Sequence, residues 1–119
     1  MVQMVADFPD FLNKQMSTIL SNSIVVSDEI VDFTVALAQD LSEMKRFPGN
    51  RKIDEKWVQF LYREAEKGKF RWEDVCISGV ERLNGETYAV NGQHTCRMRI
   101  YLGEDYKCKV RILKMKEIR

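Results

Sequence analysis

The chain has a single histidine, His94, among 119 residues, and its three cysteines include no Cys-x-x-Cys pair. Cys76, Cys96 and Cys108 cannot all pair within one chain, and a zinc site would need Cys96 and Cys108 to converge on His94. Reduced thiols in a cytoplasm are the plainer account. No run approaches the ~18 consecutive apolar residues of a membrane-spanning helix, so no span is expected. The opening MVQMVADFPDF lacks a basic region and a long apolar core, so no secretory signal is expected. No internal repeat, low-complexity tract or linker interrupts the chain. With 45% hydrophobic and 31% charged residues, it reads as one soluble globular domain with a real core.

The net charge of +1 conceals a gradient. Residues 1–49 hold three basic and seven acidic side chains, whereas residues 91–119 hold eight basic and three acidic. A basic last third points to an anionic neighbour, such as a nucleic acid, a nucleotide or an acidic protein surface. The alternative is a solvated strand face, where Lys107, Lys109 and Arg111 alternate with apolar residues, followed by a tail. The small overall charge argues against strong non-specific DNA binding.

Local patterns predict a small mixed sheet with helices packed against it, an α+β fold. Asp7 to Leu20 reads as a first helix, and Ile24-Val25-Val26 as a short buried strand. Ser27 has the chemistry of an N-cap, and Ile30, Phe33, Leu37, Leu41 and Met44 then form a helical stripe ending at Lys45-Arg46. Asp54 caps a further helix whose expected buried face is Trp57, Phe60, Leu61 and Ala65, closed by Lys67-Gly68. Trp72 to Ile77 is expected as a strand, and Asn84-Gly85 as the turn of a hairpin joining 80–83 to 86–90. Strands are thus expected near residues 24, 75, 81, 88 and 110, with residues 1–23 an accessory helix, 24–113 the domain and 114–119 a basic tail.

The stretch from Thr87 to Leu113 carries the chemistry. Thr-Tyr-Ala-Val suits a strand, Asn91-Gly92 breaks it, Gln93 to Leu102 turns helical, and a strand follows from Cys108. The first amides of that helix, at Gln93 to Cys96, and its dipole make an anion site. Gly92 would let a ligand approach the backbone, with Gln93, His94 and Thr95 around it and Arg97 one turn on. A purely structural turn is the alternative. The same helix end could lower the Cys96 thiol pKa, against the alternative of a buried structural cysteine.

The segment VNGQHTCRMRIYLG resembles the Asp-Gly-Gln-His-Arg type of segment in the ParB/sulfiredoxin-like superfamily. The run Gly49-Asn50-Arg51-Lys52-Ile53-Asp54 is similar to the Asn-Arg segment before that domain's first long helix, and Gly68 sits where the family commonly has glycine. The resemblance covers roughly residues 24–113. It implies a loop laid across the Asn91–Thr95 turn, with Asn50 and Arg51 joining the anion site, where a guanidinium fork suits phosphate. Gln93 stands where sulfiredoxin has its catalytic cysteine, which argues against peroxiredoxin repair. Thr95 replaces an arginine, and a downstream acidic-Asn-x-x-Arg segment is lacking, which puts partition-type CTP switching in doubt.

The resemblance implies a module binding CTP, ATP or ADP with Mg²⁺, or another phosphate ligand, from a phage, plasmid or other mobile element and linked to DNA transactions. One alternative is a metal-dependent nuclease or nucleotide hydrolase, with His94 as candidate base and Asp54, Glu64, Asp74 or Glu81 as candidate Mg²⁺ carboxylates. Another is a non-catalytic module that blocks or recruits a host protein.

Overall fold

The computed structural model of the chain describes residues 19–47 and 52–118. In chain order its elements are β1 (Ser23–Asp32), α1 (Val35–Ser42), β2 (Lys45–Arg46), α2 (Glu55–Glu66), β3 (Cys76–Glu81), β4 (Thr87–Ala89), α3 (Gln93–Leu102) and β5 (Lys109–Glu117). The five strands form one mixed sheet in the order β1-β5-β3-β4-β2. β1 pairs antiparallel with β5, β5 parallel with β3, β3 antiparallel with β4, and β4 parallel with β2. The fold is therefore α+β. The expected N-terminal helix lies largely outside the described residues, which show only a last helical stretch at Ile19–Ser21.

The expected helix from Ser27 to Met44 forms only over Val35–Ser42. Its first third continues β1 as far as Asp32, and the helix that follows is capped by Thr34, whose side chain accepts from the Leu37 amide at 3.1 Å. The apolar spacing was compatible with a helix, but Ile30 and Val31 are β-branched and lose χ1 freedom there. As a strand, this acidic segment lies beside the basic β5: Asp32 pairs with Lys109, and the Asp28 carboxylate takes two bonds from Arg111 at 2.7 and 2.6 Å. Such cross-strand pairs reward the strand over the helix. Ile24, Val25 and Val26 are in a strand, as expected, but exposed on the sheet's edge rather than buried.

Two further strand expectations change. Trp72–Asp74 is a 3₁₀ turn, and β3 starts only at Cys76, so the strands expected near 75 and 81 are one. The turn lets Trp72 pack against Phe33 and Phe70 and donate its indole N–H to the Tyr106 hydroxyl at 2.8 Å. The fifth strand is Lys45–Arg46, expected as a helix end. Residues 114–117, expected in a tail, continue β5. The hairpin forms around Asn84-Gly85, but its strands are Cys76–Glu81 and Thr87–Ala89, joined by residues 82–86 rather than by a two-residue turn, with Gly79 opposite Ala89 and Glu81 opposite Thr87.

The core on the helix side of the sheet joins Phe33, Ala38, Ile77, Cys96, Val110 and Ile112. A second cluster packs Val58, Leu61 and Ala65 of α2 against Met98 of α3. Asp54 caps α2 as predicted, accepting from the Lys56 amide at 3.0 Å. Its buried arc is centred on Val58, Leu61 and Ala65, which leaves Trp57 and Phe60 outside, 46% and 42% exposed. Among the described residues no helix is long and apolar enough to cross a membrane.

Candidate anion site at the start of α3

β4 ends where Asn91 takes over the work of the ladder. Its side-chain oxygen accepts from the Ser78 amide at 2.8 Å, and the Val90 amide donates to the Ser78 carbonyl at 2.9 Å. The side chain thus stands in for a backbone acceptor and fixes the strand's end. Gly92 follows at φ 91°, and α3 begins at once with the Cys96 amide closing on the Gly92 carbonyl at 3.0 Å.

The role of Gly92 differs from the expectation. A Cβ on it would lie 2.7 Å from Cγ1 and 2.9 Å from Cγ2 of Ile77, a side chain 4% exposed. The missing side chain makes room for the core, not for a ligand. Gly92 is required by its positive φ and by this contact together.

Of the other expected site residues, the structure brings Gln93, His94 and Arg97 to one end of α3 and gives each a partner. Gln93 donates its side-chain amide to the Met44 carbonyl at 3.0 Å, tying α3 to the end of α1. His94 accepts from the Asp54 amide through Nε2 at 3.0 Å, which places its ring proton on Nδ1 and joins α3 to the cap of α2. An Arg97 guanidinium nitrogen lies 3.7 Å from Glu55. Thr95 is partly buried in the first turn. Asn50 and Arg51 lie outside the described residues.

Beside this helix end is a hollow of about 260 Å³. Ser42, Lys45, Arg46, Gln93 and Arg97 supply its polar lining, with Met44 and Ile53 as apolar walls. Three cations from β2 and α3 therefore flank the positive end of a ten-residue helix. Gly92, at the N-cap, has no side chain to bond the amides of that end. Lys45 is braced at 2.6 Å by Glu86, which also accepts from the Tyr88 hydroxyl at 3.0 Å. The Lys45 bond, then that of Tyr88, holds the Glu86 carboxyl below its ordinary range, and Glu86 in turn raises the ammonium.

Compared with protein-family models, with curated proteins and with solved structures, the chain shows no match.

Lys45 and Arg46 were missed as site residues because they were assigned to the end of a helix. Their neighbours across the sheet, Tyr88 and Ala89, bring them alongside the Asn91–Gly92 turn. The only signal was the adjacency of two basic residues just before the Pro48-Gly49 stop.

Two competing features are structural. A larger hollow, of about 500 Å³, opens at the other end of α3 over Arg99, but its rim mixes Asp32 and Glu104 with Lys107 and Lys109. Arg99, 2% exposed, is committed to the carbonyls of Phe33, Gly103 and Tyr106 at 2.5–2.6 Å. Cys96 is fully buried, and burial pushes its thiol up to about 12, opposite to the activation a helix end can produce. Asp54, Glu64, Asp74 and Glu81 are spread along the chain, and among the described residues no three His, Cys, Asp or Glu gather as a metal set.

Proposed function

We propose that this chain binds a phosphate-bearing ligand, a nucleotide such as CTP, ATP or ADP with or without Mg²⁺, in the hollow at the start of α3. The observation that carries the reading is the convergence of Lys45, Arg46 and Arg97 on the amide end of that helix. Arg46 and Arg97 offer planar forks for phosphate oxygens, and the helix end adds partial positive charge. The volume, near the lower end for small-molecule pockets, suits a phosphate head better than a whole nucleotide. The resemblance of roughly residues 24–113 to the ParB/sulfiredoxin-like superfamily, and with it a role in DNA transactions of a mobile element, belongs to the same proposal. Binding is favoured over hydrolysis because His94 already spends its Nε2 lone pair on the Asp54 amide.

Thermal melting with CTP, ATP, ADP or inorganic phosphate, each with and without Mg²⁺, tests it. A ligand at a hundred times its Kd adds about 2.7 kcal/mol and raises the melting temperature by several degrees. Arg46→Gln with Arg97→Gln should remove the rise without unfolding the protein, since Arg46 is exposed and neither residue belongs to the buried core. No rise at millimolar concentration with any of these ligands would refute binding here.

A second reading, a protein-interaction module, is favoured by β1. Among the described residues no strand pairs with its outer edge, and Ile24, Val25, Val26 and Ile30 are exposed along it. An edge of this kind accepts a further strand.

A further inference from the structure

We propose that the solvent face of α2 binds single-stranded nucleic acid. Directly opposite the buried arc of Val58, Leu61 and Ala65 run Lys56, Phe60, Arg63 and Lys67, at spacings that stack them in one row. All four are exposed. Three cations therefore follow one line from Lys56 to Lys67, about 16 Å of helix. That is a track for successive phosphates.

Aromatic rings interrupt the charge. Trp57 and Phe60 stack on each other with centroids 5.1 Å apart and planes 17° from parallel, and both are more than two-fifths exposed. Core packing does not account for them, since Val58, Leu61 and Ala65 already seal α2 against α3. Parallel exposed rings next to cations are what an unpaired base and its phosphate require, because every base presents a π-face.

The helix's carboxylates are drawn away from this row. Glu55 accepts from the Tyr101 hydroxyl at 3.1 Å and lies near Arg97, and Glu66 lines a hollow with Leu102 and Tyr106, so both lie toward α3. Glu64, one turn on from Phe60, is partly buried. A duplex keeps its bases stacked on one another and offers nothing to the ring pair. A membrane surface needs a broad apolar face, whereas this one is two rings wide and bounded by Gln59 and Arg63.

Fluorescence anisotropy of a labelled fifteen-nucleotide oligo-dT, titrated with the full chain at low salt, tests the proposal. Binding should quench tryptophan emission in the wild type and not in Trp57→Leu, where Trp72 alone reports. Trp57→Ala and Phe60→Ala should each weaken binding about tenfold, with melting curves unchanged because both rings lie outside the core. The log–log salt slope should be roughly −2 and approach zero when Lys56, Arg63 and Lys67 are all changed to Gln. Arg46→Gln with Arg97→Gln should leave this binding intact, which separates it from the α3 hollow. The proposal is overturned by no oligo-dT binding at low salt, by affinity indifferent to both ring substitutions, by equal affinity for a fifteen-base-pair duplex, or by capture on phosphatidylserine vesicles without capture of oligo-dT.

Discussion

Replacing Gly92 with alanine tests the local geometry on which the α3 hollow is built. The substitution acts twice. An L-residue held at φ 91° is strained by about 1–2 kcal/mol. The new methyl would also sit 2.7 and 2.9 Å from two carbons of Ile77, well inside van der Waals contact. Ile77 has little room to retreat, since it is 4% exposed and lies in the cluster with Cys96, Val110 and Ile112. Overpacking of this kind adds about 1–3 kcal/mol. The sum, about 2–5 kcal/mol, corresponds to a fall in melting temperature of roughly 8–20 °C for a domain of this size. Circular-dichroism melts and urea titrations measure it. In an Ile77→Ala background the two close carbons are gone, and the cost of Gly92→Ala should shrink to the conformational part, about 1–2 kcal/mol. If Gly92→Ala melts within about 2 °C of the wild type, the turn is not held at positive φ against Ile77, and the placement of the α3 amides falls with it.

Arg99→Met should destabilise by roughly 3 kcal/mol in urea denaturation, because three carbonyls lose a charged donor in a buried setting. Arg99→Lys should recover little of it, since one ammonium cannot reach all three in the guanidinium's geometry. The Arg111 fork beside Asp28 holds that carboxyl below its ordinary value of 3.8. Its folded pKa is depressed, so its contribution is complete above the unfolded pKa and is lost as pH falls through the folded one. Asp28→Asn should therefore lower stability at pH 7 and flatten the acid limb below about pH 5, and an unchanged acid limb in denaturation against pH would contradict the pairing.

Where local chemistry was decisive, the elements could be read directly. Asn84-Gly85 marked the hairpin, Asp54 the start of α2, and Asn91-Gly92 the break before α3, each through side-chain or backbone preferences acting within a few residues. Residues 27–32 were misread because their apolar spacing continues that of the helix at Val35–Ser42. The strand wins there through a partner, β5, some eighty residues away in the chain. The same non-local pairing explains why Lys45 and Arg46 were missed: two residues make no strand signal until β4 lies alongside. Trp57 and Phe60 were placed inside because they are large and apolar, but the arc that faces α3 was already filled by Val58, Leu61 and Ala65.

By itself the sequence determined the α+β class, the turns and the cap that starts α2, because these depend on φ preferences and hydrogen bonds between near neighbours. Only the tertiary structure decided that Gly92 serves Ile77 and that His94 accepts from the cap of α2. It also decided that the cations of the hollow come from a two-residue strand. Each of those is a contact between segments far apart in the chain, and which side chains meet there depends on sheet order and register, which no local pattern encodes.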